Sequence, residues 1–262
     1  NAGGSRVVRF GTMRQQLVGI EAVLANGTLV GSLAGLPKET VGLHWPSVLC
    51  GSEGTLAVVT SARLRLAPQF EHVATVFVAM SSVDSAVALL ETLRRRIGSL
   101  DSIEIMFPEA IKQVAAHLRL TAPAEIPPGG VALLIECADH SDPAPALIDV
   151  IDSIEGVAAT AVAIDAAQRR QLLAWRDRIT EAIAAAATTS GGPTYKLDVA
   201  VPTRAIGQLL DVARAAAERQ GARIVPFGHL AEGNLHLNFL GASRPDEIAE
   251  AVLTSTADLG GT

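Results

Sequence analysis

The sequence predicts an α+β protein in which helices pack on a sheet, and three features of its pattern support this fold class. Residues 1 to about 67 are rich in glycine and β-forming side chains. From Glu71, strand-like and helix-like segments alternate in the order β-α-β-α-β-α-β, which is typical of a ferredoxin-like or related α+β domain. Near the end, two β-prone segments flank Glu232-Gly233-Asn234, whose turn chemistry predicts a β-hairpin.

The first segment predicts short strands connected by glycine-rich turns. Residues 18–24 and 28–30 are β-prone and flank Asn26-Gly27, which predicts a strand, a type I′ turn and a second strand. Further on lies the loop Gly51-Ser52-Glu53-Gly54. Its glycines would let the backbone approach a ligand closely, and its N–H groups suit a phosphate or the edge of a heteroaromatic ring. A plain turn between strands is the alternative that the local pattern leaves open.

The middle of the chain predicts a regular alternation of strands and helices. Apolar residues at helical spacing follow Ser81 and Ser82, either of which is a candidate N-cap. Pro108 suits the first turn of the next helix. The expected strands are 73–80, 102–106, 131–137 and 159–164, and the expected helices are 82–95, 109–118 and 143–154.

A single long helix is expected over residues 166–187. Arg176 and Thr180 would share a face of it, because residues four apart on a helix are neighbours. A guanidinium beside a hydroxyl can hold a carboxylate, since arginine binds such groups in a bidentate fashion. A surface arginine next to a solvated threonine explains the same spacing, so the pattern alone leaves both interpretations open.

After a break at Gly191-Gly192-Pro193, the chain predicts a strand, a helix, the hairpin and a last helix. The strand over residues 194–201 carries Lys196 and Asp198 on one face, because side chains alternate along a strand. The two helices are expected over residues 204–220 and 247–259.

The hairpin carries the most specific chemistry. His236 and Asn238 would point to one face of its second strand, while the apolar residues between them point to the other. His229 ends the first strand and is expected across from His236. Two imidazoles beside an amide supply part of a divalent-metal site, although ordinary strand side chains are the alternative.

Composition excludes several functional classes. A formal net charge of −6 and the lack of a Lys/Arg cluster argue against a nucleic-acid partner. No apolar run of about 20 residues predicts a membrane span. Cys50 and Cys137 lack metal or redox spacing and indicate reduced thiols in the cytoplasm.

The chain opens on Asn1 with neither an initiator Met nor a signal peptide, so it is expected to be a piece of a longer protein.

Four motifs in a fixed order resemble those of one family. Together they are similar to the FAD-linked oxidases of the vanillyl-alcohol oxidase type, near the D-lactate and D-2-hydroxyglutarate dehydrogenases and the glycolate oxidase FAD subunit. The resemblance covers essentially the whole chain. It implies the C-terminal half of a flavin-binding domain over residues 1–68, then a ferredoxin-like α+β substrate (cap) domain over residues 69–262, truncated before its last motif. The motifs are Asn1-Ala2-Gly3-Gly4, Gly11-Thr12-Met13-Arg14, Gly51-Ser52-Glu53-Gly54-Thr55-Leu56 and Gly228-His229-Leu230 followed by Gly233-Asn234-Leu235-His236-Leu237-Asn238.

The resemblance also implies a reaction, cofactors and site residues. The reaction is the oxidation of a D-2-hydroxy acid to the 2-oxo acid by hydride transfer to FAD. Members that use a divalent ion, such as Zn, Mn or Fe, bind it through the hairpin histidines, which makes His229 and His236 the implied metal ligands and catalytic residues. Arg176, Thr180 and Lys196 are the implied ligands of the substrate carboxylate, and Asn238 falls on another substrate-side position. The implied FAD contacts are Asn1, Ala2, Gly3, Gly4, Gly11, Thr12, Gly51, Glu53, Gly54 and Val59.

The sequence departs from the family pattern in three places. His44-Trp45-Pro46 stands where Tyr-Asp is more usual before the Gly-Ser-Glu-Gly loop. The family's phosphate-binding loop lies upstream of the opening segment, and its Glu-His-Gly motif lies beyond the closing one. We therefore expect the 262-residue chain by itself to be colourless and not to retain FAD, because half of a glycine-rich cradle leaves the pyrophosphate without most of its N–H donors.

Two other functions stay open from the sequence alone. One is a non-catalytic α+β binding module in which the histidine pair holds a structural ion. The other is a metal hydrolase that uses the two histidines with Glu232, although a turn positions a general base poorly. The sequence assigns neither the hydroxy acid nor the electron acceptor, and a homodimer is one assembly that it leaves open.

Overall fold

The computed structural model describes residues 1, 3–38, 40–190 and 193–262, without the side chains of residues 189 and 190. The chain divides into two compact units, Asn1–Gln69 and Phe70–Thr262. Ala2, an implied FAD contact, and the predicted break at Gly191-Gly192 lie outside the described residues.

The N-terminal unit is built on three antiparallel strands. Its strands are β1 (Leu17–Leu24), β2 (Leu29–Ser32) and β3 (Ala57–Leu64), in the sheet order β2-β1-β3. Its short helices are α1 (Val7–Phe10), α2 (Met13–Gln16) and α3 (Trp45–Leu49), with a 3₁₀ turn at Gly4–Arg6. Ile20 and Ala22 pack with Leu49 in a small core. Large apolar side chains remain exposed in this unit, among them Val58 at 69% and Leu66 at 91%.

The turn between β1 and β2 differs from the predicted type I′ turn. Gly27 has a φ of 84°, but Asn26 is not among the described non-glycine residues with positive φ, which type I′ requires at both central positions. The Gly27 N–H donates to Leu24 O, and the Leu24 N–H donates to Thr28 O, both at 2.9 Å. This is the pattern of a type I turn followed by a left-handed glycine in a G1 bulge. The predicted turn type was wrong, although both predicted strands are present.

The second unit alternates strands with helices and ends in a hairpin and a helix. Its strands are β4 (His72–Met80), β5 (Leu100–Met106), β6 (Val131–Asp139), β7 (Val157–Val162), β8 (Thr194–Ala200), β9 (Arg223–His229) and β10 (Asn234–Leu240). Its helices are α4 (Val83–Arg96), α5 (Pro108–Leu118), α6 (Ala144–Asp152), α7 (Ala166–Asp177), α8 (Ile179–Ser190), α9 (Ile206–Glu218) and α10 (Pro245–Asp258), with a 3₁₀ turn at Thr203–Ala205.

These strands form one seven-stranded sheet in the order β7-β4-β6-β5-β9-β10-β8, and its neighbouring strands pair antiparallel. The run β7-β4-β6-β5 has the strand order of a ferredoxin-like sheet, which β9, β10 and β8 extend. Phe77 and Leu134 of the sheet pack with Leu172, Trp175 and Ile179, so α7 and α8 cover one face together with α5. Helices α4, α6, α9 and α10 form a second set that contacts the sheet. The predicted α+β class is confirmed.

The helix predicted over residues 166–187 is divided into α7 and α8 at Arg178. Arg178 has a φ of −91° and a ψ of 1°, which leaves helical geometry for one residue. Hydrogen bonds nevertheless continue across it, because the Arg178 N–H donates to Ala174 O at 3.1 Å and the Ala182 N–H donates to Arg178 O at 2.8 Å. Arg176 and Thr180 therefore lie on either side of a break, and not on one continuous helix.

Helix α4 begins with a hydrogen-bonded serine, and this allows a first prediction. Ser82 is the N-cap, and its Oγ accepts from the Ser85 N–H at 3.0 Å. We expect Ser82→Ala to lower the free energy of unfolding by about 1 kcal/mol, because it removes the partner of an otherwise unsatisfied helix N–H. Urea unfolding measures this. Ser81→Ala is the control, with a smaller expected loss, and equal losses in the two variants would contradict the assignment of the cap.

Candidate active site

A pocket of about 270 Å³ in the second unit brings together several of the residues named from the sequence. Arg176 contributes from α7 and Thr180 from α8. Lys196 contributes from β8, and His236 and Asn238 contribute from β10. The lining also contains Leu197, Asp198 and Phe227. Two basic side chains, an imidazole and an amide thus surround one small space.

The pairing of β8 with β10 sets the positions of the polar groups. Asp198 lies opposite His236, and Lys196 lies opposite Asn238. Because side chains alternate along a strand, these four residues share the pocket face of the sheet. Leu235, Leu237 and Phe239 of β10 point to the other face and are fully buried.

Asn238 is held at the floor of the pocket with one end of its amide already used. The residue is 4% exposed, and its Nδ2 donates to the backbone oxygens of Val225 at 3.1 Å and His236 at 3.2 Å. The side-chain carbonyl oxygen is therefore the atom that can accept a hydrogen bond from a bound hydroxyl.

His229 is a diagonal neighbour of His236. It pairs with Asn234 across the hairpin, while Phe227 is the residue opposite His236. The prediction that the hairpin places the two histidines directly across from each other was wrong, because the turn closes earlier than expected. Diagonal residues still share one face of an antiparallel pair. The two Nε2 atoms are 3.4 Å apart, and the rings meet edge to face with centroids 5.2 Å apart.

Each of these two imidazoles has a carboxylate beside its Nδ1 atom. His229 Nδ1 lies 2.7 Å from Glu104 Oε1. His236 Nδ1 lies 3.4 Å from Asp198 Oδ2. A carboxylate accepts hydrogen bonds and favours the tautomer with the proton on Nδ1, which leaves the Nε2 lone pair free. The two Nε2 atoms therefore face each other as candidate bases or metal ligands.

Burial decides the charge of the histidine in the pocket. Desolvation lowers the pKa of His236 and outweighs the nearby carboxylate of Asp198, while His229 and Arg176 add to the lowering. His236 is therefore neutral near pH 7 and can accept a proton or a metal ion at Nε2. Burial also raises the pKa of Glu232, but Glu232 is not among the described residues that line the pocket.

Two residues of the sheet, Glu104 and Phe227, contact the Arg176 guanidinium and orient it. Its Nε donates to Glu104 Oε2 at 2.6 Å, and its guanidinium carbon lies 5.3 Å from the centroid of the Phe227 ring. Among the described residues, no acid other than Glu104 pairs with this guanidinium. Its terminal nitrogens are thus available to a carboxylate in the pocket, with Thr180 and Lys196 beside them.

Glu104 is a site residue that the sequence analysis missed. It lies on β5, between Ile103 and Ile105, and is 3% exposed. The available signal was a carboxylate inside an otherwise apolar strand, since an ionised side chain is rarely buried without a partner. Its two partners are distant in sequence, so the pattern could not have named them.

The histidine pair fits a divalent ion in part. Two nitrogens that bind one tetrahedral ion at about 2.1 Å lie roughly 3.4 Å from each other, which is the separation of the two Nε2 atoms, 3.4 Å. Among the described residues, however, no cluster of three or more His, Cys, Asp or Glu side chains could hold a metal ion. The described part of the chain offers two ligands, and a four-ligand shell requires more.

The residues assigned to FAD fall into two groups in the N-terminal unit. Gly51, Glu53, Gly54 and Val59 line one shallow cleft. Backbone φ values of 93°, 50° and 79° at Gly51, Glu53 and Gly54 give this loop a left-handed course that exposes its backbone. The two glycines therefore leave the backbone of this loop open to a phosphate or a ring edge.

The other assigned residues lie near this loop or close to one another. The Asn1 Oδ1 accepts from the Arg14 N–H at 2.9 Å, and Arg14 Nη2 donates to Cys50 O at 2.9 Å, next to Gly51. Gly3 lies beside Thr12, which begins α2 through a capping box with Gln15. Gly4, Gly11 and Thr12 are not among the described residues that line the cleft.

The comparison with known families decides what this chain is related to. Residues 69–262 match the family model described as "FAD linked oxidases, C-terminal domain". The chain belongs to the FAD-linked oxidases. The resemblance inferred from the four motifs is thereby confirmed.

Curated relatives among the FAD-linked oxidases are dehydrogenases of hydroxy acids by name. The mitochondrial D-2-hydroxyglutarate dehydrogenase of Bos taurus is 34% identical over 91% of the chain and 44% of the relative. That of Rattus norvegicus is 30% identical over 96% of the chain and 47% of the relative. The D-lactate dehydrogenase of Archaeoglobus fulgidus is 27% identical over 90% of the chain and 51% of the relative. The chain thus spans about half the length of the curated relatives it matches.

Solved structures support the fold. An alkyldihydroxyacetonephosphate synthase aligns with a TM-score of 0.65 and 14% identity, covering 99% of this chain and 50% of its own. A p-cresol methylhydroxylase aligns with a TM-score of 0.65 and 14% identity, covering 95% of this chain and 57% of the methylhydroxylase chain. Within the described part of the chain, every helix is too short or too polar to cross a membrane.

Proposed function

We propose that the enzyme containing this chain oxidises a D-2-hydroxy acid to the corresponding 2-oxo acid, with FAD as hydride acceptor. The observation that carries the proposal is the composition of one pocket, in which Arg176 and Lys196 lie beside the neutral imidazole of His236. A 2-hydroxy acid presents a carboxylate and a hydroxyl on adjacent carbons, and these groups require a cationic site and a proton acceptor close together.

The carboxylate end of the substrate is assigned to Arg176, Thr180 and Lys196. A guanidinium held in place by Glu104 and Phe227 loses little freedom when it forms two parallel hydrogen bonds to a carboxylate. Thr180 adds a hydroxyl donor and Lys196 a second positive charge at the same pocket. These contacts would fix the adjacent carbon relative to the histidines.

The hydroxyl end is assigned to His229, His236 and Asn238. Oxidation of the alcohol carbon removes a hydride from carbon and a proton from oxygen, so one group must hold that proton. The imidazole of His236 is neutral and lines the pocket, and Asn238 offers its carbonyl oxygen to the same hydroxyl. Bound FAD supplies the hydride acceptor. A divalent ion on the two Nε2 atoms would lower the pKa of the hydroxyl.

We assign the two units to the two halves of this task. Residues 1–68 form part of the FAD-binding domain, supported by the open loop at Gly51–Gly54 and by the exposed apolar side chains of that unit. Residues 69–262 form the substrate domain, supported by the pocket that it contains. A cytoplasmic location remains a prediction from composition, while the rat and cattle relatives carry the word mitochondrial in their names.

The two alternative functions receive less support. The relatives named above are dehydrogenases, so the comparisons do not favour a non-catalytic metal-binding module. The same names do not favour a hydrolase that uses Glu232 as a base.

Anaerobic mixing of the full-length flavoprotein with D- and L-2-hydroxy acids tests the proposal. We expect the visible absorbance of the flavin to bleach with a D-2-hydroxy acid such as D-lactate or D-2-hydroxyglutarate, and to stay unchanged with the L-enantiomer. A flavin that no D-2-hydroxy acid reduces would contradict the proposed function.

A further inference from the structure

Glu104 connects the two halves of the pocket through its two carboxylate oxygens. Oε1 lies 2.7 Å from Nδ1 of His229, and Oε2 accepts from Nε of Arg176 at 2.6 Å. The Glu104 side chain is 4% exposed, compared with 13% for His229 and 22% for Arg176. The carboxylate therefore lies beneath both partners and is shielded from the solvent that reaches them.

We propose that Glu104 is a positioning residue that fixes the tautomer of His229 and the orientation of the Arg176 guanidinium at the same time. The tautomer half of this inference stands on the geometry of the chain alone. The consequence for catalysis rests on the proposed function, because it concerns how the hydroxyl and the carboxylate of one substrate are held in register.

The tautomer follows from the donor and acceptor inventory. A carboxylate oxygen that is hydrogen-bonded to a neutral imidazole can only accept, so the proton of His229 resides on Nδ1. Nε2 then carries a lone pair toward His236 Nε2, 3.4 Å away. With the proton on Nε2 instead, His229 would present a donor where the proposed site needs a base or a metal ligand.

The orientation of Arg176 follows from the other oxygen. Glu104 occupies Nε, and the guanidinium lies over the Phe227 ring with its carbon 5.3 Å from the centroid. These two contacts fix the plane of the guanidinium and leave its terminal nitrogens for the pocket. A single carboxylate thus fixes Arg176, which is assigned to the substrate carboxylate, relative to His229, one of the two imidazoles assigned to the hydroxyl end.

A second buried pair on the same helix provides a matched control. Arg169 lies two helical turns before Arg176 on α7. Its Nη2 donates to Glu136 Oε1 at 2.7 Å, and the same oxygen accepts from Thr75 Oγ1 at 2.8 Å. Glu136 is 6% exposed, close to the 3% of Glu104, but its partners include no histidine. Glu136→Gln therefore disturbs a comparable ion pair at a residue that does not line the pocket.

Nitrogen NMR of the ¹⁵N-histidine-labelled 262-residue chain tests the tautomer without flavin or metal. In the wild type we expect His229 to be protonated on Nδ1, with its signals assigned by their loss in His229→Gln. In Glu104→Gln the amide oxygen should turn to the Arg176 cation and the NH₂ group to His229, because a donor cannot face the guanidinium. The proton of His229 should then move to Nε2, while Glu136→Gln leaves it on Nδ1.

Either of two results would overturn the proposal. One is a wild-type His229 that carries its proton on Nε2, which is decisive even if Glu104→Gln does not fold. The other is a folded Glu104→Gln variant whose His229 signals match those of Glu136→Gln.

The same variants in the full-length flavoprotein test the catalytic consequence. We expect Glu104→Gln to lower kcat/KM by about 10- to 100-fold, because loss of the residue hydrogen-bonded to a functional histidine usually has an effect of this size. Glu136→Gln should change kcat/KM by less than about threefold. Equal losses in the two variants would show that Glu104 acts through stability alone. If the wild type is inactive on hydroxy acids while the NMR result holds, the proposed function fails and the tautomer assignment stands.

Discussion

Replacing Arg176 by alanine in the full-length enzyme is expected to lower kcat/KM for a D-2-hydroxy acid by roughly 30- to 1000-fold. The substitution removes a charge-assisted bidentate contact, for which 2–4 kcal/mol is an order-of-magnitude figure. It also removes the partner of Glu104, whose Oε2 accepts from Arg176 Nε at 2.6 Å. Steady-state kinetics with a D-2-hydroxy acid and an artificial electron acceptor measure the effect.

The control for this prediction is Arg169→Ala on the same helix. Both substitutions strand a buried carboxylate, Glu104 in one case and Glu136 in the other, so both should cost about 3–5 kcal/mol of stability. Only Arg176→Ala should also weaken binding of the substrate carboxylate and so lower kcat/KM. If both variants lose kcat/KM equally at a temperature where both remain folded, Arg176 has no direct role in substrate binding.

His236→Ala is the second substitution with a large expected effect, and it should act mainly on kcat. Loss of a positioned general base typically lowers the rate about 10²- to 10⁴-fold. The interaction of Nε2 with the hydroxyl proton strengthens as that proton leaves, so the transition state loses more than the bound substrate does. KM should therefore change much less than kcat.

His72→Ala serves as the control for general effects of losing an imidazole, because His72 is exposed at the start of β4. A chelator provides a second comparison. If a divalent ion contributes, chelation of the wild type should reproduce part of the loss, and chelation of His236→Ala should add little. A His236→Ala variant with normal kcat and raised KM would instead place His236 in ground-state binding.

The sequence predicted the fold well because the core of the second unit follows simple periodicities. Strand β6 begins with a continuous apolar run over residues 131–135, and α4 combines helical spacing with a serine cap, so local patterns and tertiary structure agree. The errors arose where tertiary structure decides. Arg178 is a good helix former that nevertheless interrupts a helix, so residue type alone does not predict the break.

The site could be predicted only in part from the sequence. Strand alternation places His236 and Asn238 on one face, and the pocket contains both. The sequence pattern does not determine the register of the hairpin, so His229 was predicted opposite His236 and instead lies opposite Asn234, two residue pairs away. Glu104 was missed because its partners, His229 and Arg176, lie on elements that only the folded sheet brings together.

A crystal structure of the full-length protein with a 2-oxo acid bound tests the central claim most directly. The account predicts that the ligand carboxylate lies within about 3 Å of the terminal nitrogens of Arg176, with Thr180 and Lys196 beside it. The ligand's 2-oxygen should face Nε2 of His236. A 2-oxo acid bound elsewhere, or bound here with its carboxylate toward the histidines and its 2-oxygen toward Arg176, would contradict the account.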